Sequence, residues 1–132
     1  MKLQLTILVA PKPKERARTI RQGNKIMSFT PHKTAHVQNI IRDKLLESNV
    51  FFPVGAPLKL VSRFYIERPK SAPKKRKYPT VYPDLDNMEK LLMDSLQGFA
   101  FPNDSQVVWT DARKLYGSPP RIEFTLTEIE EE

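Results

Sequence analysis

The stretch Pro83-Asp84-Leu85-Asp86-Asn87-Met88-Glu89-Lys90 carries two carboxylates two residues apart, with a lysine four residues after the second. If Asp84 to Asp86 is extended, both side chains leave one face with Cα atoms roughly 6.5 Å apart, near enough to converge on one hard cation. The same pattern ahead of a helix also reads as a turn followed by a cap, with Asp86 serving only the helix start, and taken alone that is the commoner reading. A further acidic position, Asp104, follows in Phe101-Pro102-Asn103-Asp104-Ser105-Gln106, just before a predicted strand that would fix it. Three carboxylates gathered on rigid elements repel one another unless a cation offsets them, so such a cluster is better explained by metal binding than by stability. Lys90 could face a reacting phosphate and stabilise added negative charge. Its plainer reading is an ion pair with Asp94, four residues on.

The elements that must hold these groups follow from periodicity. Leu3, Leu5, Ile7 and Val9 alternate as one face of a strand. Thr30-Pro31 is a helix-start signal, and Val37, Ile40, Ile41, Lys44 and Leu45 keep the spacing of one buried helical face, ending near Ser48. Leu60, Phe64 and Ile66 alternate with Val61, Arg63, Tyr65 and Glu67 in a second strand. Met88, Leu91, Leu92, Ser95 and Leu96 form the stripe of a second helix, with Gly98 as its stop. Val107 to Trp109, and Ile122, Phe124 and Leu126, add at least two strands separated by a turn at Gly117 to Pro120. The expected fold is α/β in composition, of the α+β kind: a small mixed β-sheet with two helices.

At 132 residues the chain has room for one hydrophobic core, so residues 1–132 are expected to form a single domain. Basic loops are expected near 11–25 and 70–83, and an acidic tail near 128–132. The first loop includes Lys12, Lys14, Arg16, Arg18 and Arg21, and the second holds Lys74, Lys75, Arg76 and Lys77. The net charge of +7 is lowered by the C-terminal glutamates, leaving the rest more basic still. That excess suits a polyanionic partner, because each Lys or Arg on a phosphate releases condensed counterions. The absence of cysteine excludes disulfides, zinc-thiolate sites and thiol catalysis, and fits a reducing cytoplasm. Leu3 to Ala10 is too short to span a membrane and lacks a cleavage-site pattern. His32 and His36 are four apart on the first helix, but with no third ligand nearby a surface or phosphate contact is the better reading.

The long stretch PDLDNMEKLLMDSLQGFAFPNDSQVV resembles the signature of the RusA family of junction endonucleases. The matching positions are Asp84, Asp86, Asn87, Lys90, Asp94, Leu96, Gly98, Asp104, Ser105, Gln106 and Val107. Arg16 and Arg18 resemble the family's basic Arg-x-Arg element, and Thr30 to Thr34 its helix-opening Thr-Pro-x-x-Thr. The resemblance implies that Asp84, Asp86 and Asp104 hold Mg²⁺, with Mn²⁺ an alternative, and that Lys90 assists catalysis. It departs at Asn103, where many relatives have a second acidic residue, so Asn103 should tune the site and could lend a neutral oxygen to the metal.

The implied activity is resolution of Holliday junctions by paired symmetric nicks in DNA recombination and repair. Branched, four-way DNA is the implied substrate, with no membrane and no small-molecule substrate. A homodimer is the economical arrangement, since two symmetric cuts need two sites. Arg16, Arg18, Lys74, Lys75, Arg76 and Lys77 are the expected DNA-backbone contacts. A cytoplasmic setting, bacterial or phage-encoded, is also implied. Two other readings fit the same residues: a nuclease acting on flaps or forks, and a non-catalytic nucleic-acid-binding module whose carboxylates are only caps and ion pairs.

Overall fold

In a computed structural model, which describes residues 1–12, 14, 18–23, 25–29 and 32–131, the chain forms six strands and two helices. In order these are β1 (Lys2–Ile7), β2 (Arg18–Gln22), β3 (Lys25–Phe29), α1 (His32–Ser48), β4 (Leu58–Ile66), α2 (Leu85–Leu96), β5 (Val107–Tyr116) and β6 (Arg121–Glu128), with a 3₁₀ turn at Asp104–Gln106 leading into β5. The mixed sheet with two helices agrees with the expectation.

The main sheet has strand order β1-β6-β4-β5. β6 runs antiparallel to both β1 and β4, whereas β4 and β5 are parallel. Parallel neighbours need a long crossover, and here α2 lies within it. β4 alternates cleanly: Leu58, Leu60, Ser62 and Phe64 are buried, while Lys59, Val61, Arg63 and Tyr65 are only partly covered. β6 repeats this with Ile122, Phe124 and Leu126. These inward faces meet Val37, Ile41 and Leu45 of α1 and Met88, Leu91, Leu92 and Leu96 of α2 in one core, completed by Phe52 and Phe101. Helices on one side and a polar sheet face on the other make a two-layer arrangement.

One local expectation changes, one is untested and one is refined. Residues 11–25 do not read as loop throughout, because β2 pairs antiparallel with β3, with Arg18 opposite Phe29 and Gln22 opposite Lys25. Only two residues separate the strands, and Gly23 takes the left-handed conformation (φ 60°) that such a tight connection requires. The Gly-Asn pair at 23–24 was the available signal; it was masked by the density of basic residues around it. The expected cap at Thr30-Pro31 lies outside the described residues. Finally, the 70–83 segment has no helix or strand, as expected, but it is tied down. Arg68 Nη2 donates to the Arg76 carbonyl (2.6 Å), Arg76 Nη1 to Thr80 Oγ1 (2.9 Å), and the Tyr116 amide at the end of β5 to the Lys77 carbonyl (2.9 Å).

Candidate active site

Asp84 and Asp86 both sit at the N-terminus of α2, though not in the extended arrangement that the spacing suggested. Asp84 is the N-cap, with extended backbone (φ −73°, ψ 138°), and Asp86 already lies in the first turn. The Asp84 side chain makes no capping hydrogen bond, so the helix start leaves it free for other work. Both carboxylates are exposed. Helix N-termini favour negative charge, which suits two acids in this place whatever they bind.

Lys90 projects from the same helix, one turn beyond Asp86, and is exposed. The expected Lys90–Asp94 pair does not form. Asp94 is bound by Lys14 instead, and the Lys14 amide donates to the Asn87 carbonyl (3.0 Å), so Lys14 is held against α2. Among the described residues Lys90 is then left without an ion-pair partner. The last turn of α2 is held from the other side by Arg42, whose Nη2 donates to the Asp94 carbonyl (3.1 Å) and whose guanidinium lies 4.7 Å from the Phe99 ring centre. A cation there satisfies carbonyls that have no partner within the helix. Between Asp86 and Lys90, partial burial pushes the Glu89 carboxyl above its ordinary value.

Asp104 occupies the opposite end of α2. Its amide donates to the side-chain oxygen of Gln97, the residue that closes the helix (3.0 Å). Asn103 is not a spare ligand: its Oδ1 accepts from the Ser105 amide (3.1 Å), and its own amide donates to Gln106 Oε1 (3.2 Å), a capping box that fixes the turn. Gln106 Nε2 reaches the carbonyls of Pro53 (2.9 Å) and Ala56 (3.2 Å). The Asn-Asp-Ser-Gln sequence is therefore a rigid mount for one exposed carboxylate.

Twelve residues of α2 separate the two ends, which at the helical rise is about 18 Å. Accordingly, no three His, Asp or Glu residues lie close enough to share a metal ion among the described residues. One chain gathers Asp84, Asp86 and Lys90 and holds Asp104 apart from them.

Sequence reasoning missed Lys114. It projects from β5 on the helix side of the sheet, opposite Phe64 in register, and its Nζ donates to the carbonyls of Val81 (2.7 Å) and Pro83 (2.9 Å). It thereby anchors the backbone immediately before Asp84. No periodic or motif signal singles out one lysine in a strand; only the fold brings it to the acidic motif. Of the expected DNA contacts, Lys74, Lys75, Arg76 and Lys77 are all exposed on the 70–83 segment, with one Arg76 N–H donating to Thr80 Oγ1. Arg18 lies in β2 with its side chain outside the described ones, and Arg16 lies outside the described residues altogether.

The family model for the endodeoxyribonuclease RusA matches residues 9–127. The chain belongs to the RusA family. It is 24% identical over 137 residues to the uncharacterized protein YqaN of Bacillus subtilis (strain 168), covering 96% of each. It is 39% identical over 82 residues to the crossover junction endodeoxyribonuclease rusA of Lactococcus phage r1t, covering 59% of this chain and 60% of the phage protein. Membership of the RusA family makes the chain an endodeoxyribonuclease. None of the described helices is long and apolar enough to cross a membrane.

Proposed function

We propose that this RusA-family endodeoxyribonuclease resolves four-way DNA junctions by paired symmetric nicks, in a Mg²⁺-dependent reaction carried out by a homodimer. The observation that carries the reading is the placement of the acidic groups. Asp84 and Asp86 are exposed at one end of α2, with no ion pair to either among the described residues, and Asp104 is rigidly mounted at the other. α2 and β5 run in opposite directions between these ends: β5 starts at the Asp104 turn and finishes beside Pro83 through Lys114. A two-fold axis near the middle of both elements exchanges their ends and brings Asp104 of one copy to Asp84 and Asp86 of the other. β5 is an edge strand of the sheet, which leaves that side open to a second copy.

Carboxylate oxygens are the donors that Mg²⁺ takes, and the three aspartates are the residues that would hold it. When bound, the ion supplies Lewis-acid neutralisation of the phosphate and activation of water. Lys90, free of Asp94, offers its ammonium to the negative charge that grows on the phosphate during in-line attack. Lys114 holds the backbone ahead of Asp84 so that the carboxylate is placed before substrate arrives. Lys74, Lys75, Arg76 and Lys77 supply backbone contacts that position DNA without reading its bases.

The test is incubation of the protein with a synthetic four-way junction, a flap, a fork and linear duplex, each with and without Mg²⁺. Symmetric paired nicks confined to the junction and to Mg²⁺ are expected. Equal cutting of flaps or forks would move the substrate class, and no nicking of any DNA would leave a binding module.

A further inference from the structure

A cleft of about 590 Å³ opens directly beside the acidic motif, walled by the chain after β1, the start of α1, the end of β4 and the residues leading into α2. Its floor and sides include Ile66, Tyr82 and Pro83, and Pro83 is the residue before Asp84. Among the described residues three charged side chains line it: Lys12, Lys33 and Glu67. All three are exposed, and among the described residues none is paired with another or with any other charged group. The volume suits a small organic group of nucleotide size.

The charges narrow the occupant. A purely anionic ligand would meet the Glu67 carboxylate, and a cation would meet two ammonium groups. A nucleotide meets neither objection, since its phosphate is anionic and its base is neutral with hydrogen-bond donors at the edge. Apolar and aromatic walls suit a base face. Resting on the nuclease reading above, we infer that this cleft receives one nucleotide of the DNA substrate next to the cut, with Lys12 and Lys33 on its phosphate and Glu67 accepting a hydrogen bond from an exocyclic amine of its base. Adenine, cytosine and guanine carry such an amine and thymine does not, so the cleft confers a base preference at one position.

Binding without metal separates this inference from the nuclease reading. Immobile four-way junctions are compared in which a branch-flanking adenine, cytosine or guanine is replaced by purine, pyrimidin-2-one or hypoxanthine, each lacking only the exocyclic amine. At one flanking position the replacement should weaken binding by about fivefold or more, the low end for a base-specific contact. Glu67→Ala should bind the two junctions of each pair equally. Joint replacement of Lys12 and Lys33 by Ala should weaken binding to all junctions alike and make the salt slope shallower by roughly 0.9 per lost phosphate contact. Unchanged binding on removal of every amine, a penalty that persists in Glu67→Ala, or an unaltered salt slope would each overturn the assignment. Nicking of the same junctions with Mg²⁺ is read separately: base-dependent binding without nicking would sink the nuclease reading and uphold the cleft.

Discussion

If Asp104 serves the acidic pair of a second copy, two inactive variants should restore each other. Asp86→Asn and Asp104→Asn are each expected to bind junction DNA and to cut none. The span of α2, about 18 Å, is several times the reach of a carboxylate to a shared ion, so one chain cannot close the site by side-chain motion. When the two variants are mixed in equal amounts and allowed to exchange, about half the dimers are mixed by random reassortment. In each mixed dimer one site takes Asp84 and Asp86 from the Asp104→Asn copy and Asp104 from the Asp86→Asn copy, and is intact. The other site lacks both groups. About one quarter of the wild-type sites should therefore return, as single nicks rather than paired cuts, because no dimer has two working sites. Denaturing gels of end-labelled junctions read the nicks, and native mass spectrometry confirms exchange. Mixing Asp84→Asn with Asp86→Asn should rescue nothing, since both substitutions spoil the same half. A first mixture that has exchanged yet stays as dead as its components would refute the shared site.

Other perturbations test the frame around it. Lys114→Ala removes two charge-assisted hydrogen bonds to the Val81 and Pro83 carbonyls; on a half-buried group it should cost about 1–3 kcal/mol in urea unfolding and about a hundredfold in kcat through a misplaced Asp84, with junction affinity nearly unchanged. Gly117→Ala puts a Cβ 2.5 Å from Tyr65 Cδ1, a ring also held by Arg121 at 3.8 Å, and should lower stability by about 1–3 kcal/mol without altering the salt dependence of DNA binding. Glu89→Gln should raise stability at neutral pH. Burial raises the folded-state pKa of Glu89, so its ionised form costs stability at neutral pH; the gap between variant and wild type should shrink as pH falls through the folded pKa and vanish below the unfolded value, about pH 4.

Much of the fold was legible in local pattern. Alternation marked β1, β4 and β6, and all five residues of the α2 stripe are buried in the structure. Gly98, read as the stop of α2, does adopt φ 83°. These features are legible because strand and helix periods record which face is buried, and a positive φ selects glycine. The β2–β3 pair escaped because five-residue strands among basic residues carry little apolar period. The Lys90–Asp94 pair was wrong because spacing along a helix reports who can meet, not who competes. Lys14, eighty residues away, takes Asp94 once the fold holds it against α2.

For the site itself, the sequence by itself determined the chemical inventory: an acidic pair at a helix start, a third carboxylate next to a strand, a lysine one turn on, and an excess of positive charge around them. Tertiary structure decided how that inventory is divided. Among the described residues it left Lys90 without an ion-pair partner, spent Asn103 on a turn, brought Lys114 to the acidic motif, and set Asp104 a helix length from the acidic pair. The reason is physical. Side-chain type and spacing are local properties, whereas the distance between two carboxylates in one molecule is set by the rigid twelve-residue helix between them and by the sheet to which that helix is packed.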